Sequence, residues 1–421
     1  MPCLWAFFHS HQVTIYKFIK KNMHDKGVET LVRVKTGLEN LIGHSPDYLK
    51  KKKLGLLANP ASVDCDFTHA RTLVDRTFKN QLTTLFSPQH GFFADKQDNM
   101  IESDHGTDNQ LNIPVYSLYG ETRKPLEHMF DNIDVLLVDL QDVGTRVYTF
   151  MYTVSYCMEA AKNYGKKIVI LDRPNPVGGI KTEGNVLNEE FKSFVGRYPI
   201  PMRHGLTMGE LARLFNDHFG IGCDLDVIPL TGWNRGMYYH DTGLPWVAPS
   251  PNLPVPVSSY VYPGQVIFEG AIISEGRGTT QPFELVGAPY ANPETMLARM
   301  NPEHLKGIHL RPVAFEPTSN KWQGQTCKGF QIHIKNLEDY EPYITSLSLL
   351  QAFIAEGGDT FAWKEPPYEY EFEKKPIDLI LGDSQLRQRL EAMENLTDIM
   401  GSYHEGLSRY NRIKQSFHLY R

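Results

Sequence analysis

The sequence predicts a doubly wound α/β domain on a mostly parallel sheet, followed by a smaller α+β C-terminal lobe. Three observations carry this expectation. From residue 54 to 176, short all-apolar runs alternate with stretches of helical period, the pattern of strands covered on both faces by crossover helices. Each of these strands ends in polar residues, and in open parallel sheets ligands bind outside the carboxyl ends of strands. The alternation then gives way to a proline-dense segment, Trp246 to Pro263, which reads as a rigid extended crossing between two lobes. The expected domains are an N-terminal extension (1–29), an α/β domain (30–250) and a smaller domain (251–421).

The clearest unit is 134–176. Val135 to Val138 and Ile168 to Leu171 are the strands, and the helical stretch Tyr148 to Tyr164 between them stops at Gly165. Upstream, residues 23–53 have helical spacing at Leu31, Val34, Leu38 and Leu41. Leu54 to Asn59 is then a strand, 68–78 a helix, Gln81 to Phe86 a strand and Ile113 to Leu118 another. Residues 92–112 are too polar for core and too long for a tight turn, and loops of that length are commonly functional. Downstream, Thr207 and Glu210 form a capping box that opens the helix to Phe219, and Leu225 to Leu230 is a strand. In the second lobe a strand runs through 268–280 into a glycine-rich turn. Strands at 308–315 and 329–335, a helix at 343–355 and helices after Gln385 complete it.

At 421 residues, 41% apolar and 22% charged with a net charge of -6, the chain has the make-up of a globular protein with a large core. That mild acidity excludes a general nucleic-acid binder, since no basic excess exists to neutralise phosphates. Lys50 to Lys53 reads as a solvated helix end. Cys3, Cys65, Cys157, Cys223 and Cys327 are scattered and odd in number, which points away from a disulfide framework or zinc site and toward a reducing compartment. The apolar run Cys3 to Phe8 is a poor signal peptide, and Met23 opens a more ordinary pattern, so residues 1–22 read as sequence upstream of the natural start. No run approaches the ~20 apolar residues of a membrane span. A cytoplasmic location is the expectation; nothing in the sequence sets an oligomeric state.

No G-x-G-x-x-G follows the first strand and no G-x-x-x-x-G-K-[ST] occurs, which disfavours dinucleotide and P-loop chemistry. There is no H-E-x-x-H and no G-x-S-x-G, so a metalloprotease or nucleophile-elbow hydrolase is not indicated either.

Seven blocks, taken together, carry a family resemblance: GLLANPASVD (55–64), LFSPQHGFF (85–93), IPVYSLYG (113–120), DLQDVGTRVYTF (139–150), LDRPNPVGG (171–179), SFVGRYPIPMRHGLTMGELA (193–212) and SEGRGTTQPFELVGAPY (274–290). The chain resembles the bacterial exo-β-N-acetylmuramidase family, formerly a domain of unknown function, over roughly residues 30–421. The resemblance implies a hydrolase that releases terminal non-reducing N-acetylmuramic acid from peptidoglycan fragments in cell-wall recycling. It also implies a Rossmann-like first domain, an inter-domain site and no nucleotide or metal cofactor. The partner expected is a small saccharide or muropeptide.

One departure bears on mechanism. Many members carry glutamate in the Ser-Pro-x-His-Gly turn, a natural catalytic carboxylate; here the residue is Gln89, and an amide moves no catalytic proton. Gln281 stands where members often have arginine. Two rival readings follow: a muropeptide- or sugar-binding protein that lost catalysis, or a glycosidase acting on another acidic amino sugar.

Glycoside cleavage usually needs two carboxyl groups. The catalytic candidates are Asp142 and Glu275 facing each other across the cleft, with Gln89 and His90 in the turn. Asp142 reads equally as a helix cap, Asp139 as an anchor for its turn or for Arg146, and Glu275 as a partner of Arg277. If the sugar's own 2-acetamido group is the nucleophile, fewer carboxyls suffice. Arg173, Arg203 and Arg277 are candidates for the lactyl carboxylate of muramic acid, because guanidinium meets carboxylate bidentately. Asn59, Tyr119, Asp139, Arg146, Asp172, Asn175, Glu183 and His204 complete the expected substrate-binding set.

Overall fold

The computed structural model describes residues 33–92, 102–120 and 122–421. The run Cys3 to Phe8, Met23, Leu31 and residues 93–101 of the 92–112 loop lie outside them. Val34–Arg421 forms one unit. Its first element is α1 (Gly37–Gly43), which Thr36 starts with a capping box closed by Glu39.

The strands of the first lobe are β1 (Leu54–Ala58), β2 (Leu82–Ser87), β3 (Gly106–Thr107), β4 (Pro114–Ser117), β5 (Val135–Asp139) and β6 (Lys167–Leu171). A short hairpin, β7 (Glu183–Val186) with β8 (Pro201–Arg203), follows, and then β9 (Asp224–Ile228). Among the described residues the large sheet has the order β3-β4-β2-β1-β5-β6-β9, parallel except at the β3–β4 edge. The chain winds outward from β1 through β2 to β4, then returns to β5 and winds the other way. This is the doubly wound Rossmann-like order, with its switch point between β1 and β5, where Ala58 pairs with Asp139.

The apolar runs explain the layers. Leu54, Leu56, Leu137 and Val169 face α1 and α2 (Ala70–Thr77), whereas Leu57, Leu136, Val138 and Ile170 face α3 (Glu127–Phe130) and α4 (Phe150–Asn163). Both faces are buried, so each strand is continuously apolar. α5 (Met208–Arg213) opens on the Thr207/Glu210 capping box and runs into a wider π turn, Leu214–His218.

Two expectations are corrected beyond this point. The crossing is extended only in part, because α6 (Pro256–Gln265) is a helix. Pro256 in its first turn has no intrahelical N–H to lose, whereas Pro263 gives up the bond back to Ser259 only close to the helix end. The strand expected through 268–280 is a 3₁₀ turn, Val266–Gly270, followed by chain with isolated bridges at Ala271 and Ser274. The second lobe's sheet comprises β10 (Leu285–Ala288), β11 (Ile308–Phe315) and central β12 (Cys327–Ile334), all antiparallel. Around it lie α7 (Pro293–Arg299), α8 (Pro342–Gly357), α9 (Pro376–Leu381), α10 (Ser384–Glu391), α11 (Leu396–Ser402) and α12 (His404–Gln415). The C-terminal tail returns to the first lobe, where Leu419 N–H donates to Glu210 at 2.9 Å and Arg421 C=O accepts from Arg235 N–H at 2.9 Å. Among the described residues no helix is long and apolar enough to cross a membrane.

Candidate active site

At the end of β2 the chain turns through Pro88, Gln89 and His90. His90 and Gly91 both have positive φ, 74° and 82°, a conformation easy for glycine and unusual for histidine. The buried Gln89 side chain is fixed at both ends. Its Oε1 accepts from Thr149 Oγ1 at 2.6 Å, at the start of α4, so its Nε2 must point the other way, where it donates to Glu369 Oε1 at 3.2 Å. The second oxygen of Glu369 accepts from Tyr119 Oη at 2.7 Å, just past β4.

Glu369 comes from the second lobe, at the tip of a two-residue hairpin between α8 and α9. Tyr368 and Glu371 exchange backbone hydrogen bonds of 2.9 and 3.0 Å, and the two residues between them, Glu369 and Tyr370, have φ of 47° and 66°. Such a turn requires two left-handed residues and favours Asn-Gly. The Arg123 guanidinium holds Tyr370 from below, 3.6 Å from its ring centroid.

A second buried carboxyl faces the same space. Glu269, in the 3₁₀ turn after α6, accepts from Arg277 Nη2 at 2.6 Å and from Tyr368 Oη at 2.8 Å. Gln89, His90, Tyr148, Thr149, Ser250, Asn252, Tyr262, Glu269, Arg277, Tyr368 and Glu369 are among the residues that line one cavity of about 40 Å³. Burial pushes the Glu369 carboxyl up, with a further push from the Glu269 charge, against the Tyr119 and Gln89 hydrogen bonds and the Arg123 charge. Burial also raises Glu269, but the Arg277 charge, its hydrogen bond, that of Tyr368 and the Lys321 charge outweigh it and hold Glu269 below the usual carboxylate range. One carboxyl is thus biased neutral and the other ionised.

Of the residues expected at the site, Gln89, His90 and Arg277 line this cavity and Tyr119 braces Glu369 from behind. The others do not line it, and their polar groups are largely committed to the protein. Glu275 is held by Arg277 Nε at 3.1 Å and Lys321 Nζ at 2.5 Å. Asp142 accepts from Gly144 N–H at 2.7 Å and contacts His204 Nε2 at 3.1 Å, while its Oδ1 has no hydrogen-bond partner among the described residues.

The switch point itself is filled by protein. Arg173 grips Asp139 bidentately at 2.6 and 2.9 Å, and Asn59 Nδ2 donates to Pro249 C=O at 2.9 Å. Arg203 pairs with Glu183 at 2.6 Å, and Asn175 donates to Leu206 C=O at 2.9 Å. Asp172 caps α5 by accepting from Thr207 Oγ1 and Gly209 N–H. Arg146 is fully buried and spends its guanidinium on four backbone carbonyls. Asp139, Arg146, Arg173 and Arg203 thus spend their charges on protein partners, as a buried ionised group requires, and Asp172 spends its oxygens on the α5 cap.

Sequence reasoning passed over Glu269, Glu369, Ser250, Asn252 and Tyr262. A usable signal existed for one of them. Pro366-Pro367-Tyr368-Glu369-Tyr370 sets a carboxylate between two aromatics after a rigid dipeptide, as binding loops often do.

A Rossmann-like lobe and a smaller lobe thus contribute to one cavity that holds two buried carboxyls, an arrangement of the kind glycoside hydrolases use. Comparison with known proteins narrows the class. The family model for the N-terminal domain of the exo-β-N-acetylmuramidase NamZ matches residues 54–257, and that for its C-terminal domain matches 260–420. The peptidoglycan β-N-acetylmuramidase NamZ of Bacillus subtilis (strain 168) is 41% identical over 395 residues, 92% of each chain. Two crystal structures of DUF1343 family proteins from Bacteroides fragilis NCTC 9343 are also similar. One has a TM-score of 0.83 at 32% identity, covering 93% of this chain and 100% of that one; the other has 0.72 at 29%, covering 92% and 99%. The chain belongs to the NamZ exo-β-N-acetylmuramidase family.

Proposed function

We propose that this cavity hydrolyses the glycosidic bond of a terminal, non-reducing N-acetylmuramic acid in peptidoglycan fragments, within cell-wall turnover. The observation that carries the reading is the pair Glu269 and Glu369. Glycoside hydrolysis needs a group that gives a proton to the leaving oxygen and a charge that meets the oxocarbenium-like centre. Two carboxyls whose surroundings push their protonation apart supply both roles in one place. Arg277 is, of the three arginines considered for the lactyl carboxylate, the one that faces the cavity. A cytoplasmic setting fits Cys157, Cys223 and Cys327, which are free thiols. The lobes are proposed to divide near residue 250, within the crossing.

The test is chromophore release from an aryl β-N-acetylmuraminide, with the N-acetylglucosaminide as control. Turnover of the first alone is expected. If folded protein turns over neither but is stabilised against heat by muropeptides, the chain is a binding protein, the reading that Gln89 favours.

A further inference from the structure

We infer that Glu369 is the proton donor of this enzyme and that Gln89 is its positioning residue, holding the donor without competing for its proton; this rests on the hydrolase reading above. Three features of the structure converge on Glu369. It sits at the tip of a hairpin whose two central residues are both left-handed, a conformation that Glu and Tyr adopt at a cost and that persists only where the surroundings impose it. The tip is aimed across the lobe junction, so that residues 280 apart in sequence meet. Among the described residues Glu369 also forms no ion pair, whereas Glu269, the other carboxyl of the cavity, is paired with Arg277. A buried carboxyl with no cation in contact is the one of the two that better keeps its proton.

The step balances with these groups alone. As the bond from C1 to the glycosidic oxygen breaks, the Glu369 proton passes to that oxygen and the saccharide leaves as a neutral alcohol. The carboxylate left behind accepts from Gln89 Nε2 and Tyr119 Oη, donors that are already in place. A water that then adds at C1, directly or after an intermediate, returns its proton to Glu369. The charged and titratable groups around the donor are Tyr119, Arg123, Tyr262, Glu269, Tyr368 and Tyr370, with His90 also lining the cavity.

The amide at position 89 matters in this scheme. A second carboxyl 3.2 Å away would share one proton with Glu369, and the two would titrate as a coupled pair. Gln89, locked by Thr149, can only donate.

The experiment compares Glu369→Gln with the parent protein on two N-acetylmuraminides, one with a sugar leaving group and one with 2,4-dinitrophenolate, which departs without protonation. We expect kcat/KM to fall by at least about 100-fold on the first, the scale of general acid catalysis, and to stay within about tenfold on the second. The alkaline limb of the parent's pH profile should vanish in the variant on the activated substrate. Gln89→Glu is the second probe and should move that limb to higher pH. Equal losses on both substrates, or a limb that stays in place in both variants, would overturn the assignment. An inactive but folded parent protein would instead remove the hydrolase reading itself, and this proposal with it.

Discussion

A single carboxyl, Asp172, shows how a strand-end residue can be spent on the fold. It accepts from Thr207 Oγ1 at 2.7 Å, Gly209 N–H at 2.8 Å and Tyr420 Oη at 2.5 Å, and so fastens both the α5 cap and the C-terminal tail to the end of β6. Among the described residues no cation pairs with it, and burial pushes its pKa up to about 7, with the Glu210 charge adding to the push and the three hydrogen bonds opposing it. The sign follows from linkage. A carboxyl whose folded pKa lies above its unfolded value of ~3.9 binds its proton more tightly when folded. Its contribution to stability is therefore complete below about pH 4 and is lost as pH rises through 7. Urea unfolding of the parent protein should show a decline between pH 5 and pH 8, bounded by about 4 kcal/mol for a shift of this size. Asp172→Asn should be less stable at both pH values, because an amide faces donors, but the difference between the two should shrink. An undiminished slope in the variant would show that other groups set it.

At the scale of elements, close helix packing decides more than propensity. In the last turn of α6, Gly264 lies so near α8 that a Cβ there would run into Pro342 C=O and the Ser346 hydroxyl. Gly264→Ala should therefore destabilise the protein by at least about 1–3 kcal/mol, the cost of overpacking, although alanine is the better helix former; a thermal melt checks this, and a raised melting temperature would refute the contact. The same scale shows what the sequence could reveal. Leu54–Ala58, Val135–Asp139 and Lys167–Leu171 were legible because strands buried on both faces leave unbroken apolar runs. Gln89 and His90 were legible because they end such a strand. α6 was hidden by its prolines, Pro256 in the tolerant first turn and Pro263 close to the C-terminal end. The hairpin at 368–371 was hidden because Glu and Tyr, not Asn and Gly, fill its turn. Glu369 acquires meaning only through a partner 280 residues away, and no local pattern encodes that.

Across the whole molecule, the catalytic geometry depends on how one lobe is set against the other, and Arg146 sits at that junction. From the turn before α4 its Nη1 donates to Asn185 and Ile200 carbonyls at 2.8 and 3.1 Å in the β7–β8 hairpin, and its Nη2 to Ile380 and Leu381 carbonyls at 2.9 and 2.8 Å. The last two are carbonyls at the C-terminal end of α9, where the helix dipole offers partial negative charge to a cation that hydrogen-bonds no carboxylate. Because α9 begins at Pro376, shortly after the hairpin that carries Glu369, loosening the grip of Arg146 on α9 is expected to shift Glu369 relative to Gln89. Arg146→Lys keeps the charge but has three donors on one nitrogen, which cannot span four carbonyls. Stability should fall by about 1–3 kcal/mol for each carbonyl left unmatched. A donor misplaced by about 1 Å can cost ~100-fold in rate, and that loss should appear in kcat on the saccharide substrate, with KM nearly unchanged and the dinitrophenyl substrate spared. Urea unfolding together with kinetics on the two substrates separates these effects. A variant that loses stability yet cleaves both substrates at the parent rate would mean that the lobes hold their register without Arg146, leaving the Gln89–Glu369 and Tyr119–Glu369 bonds to position the donor by themselves.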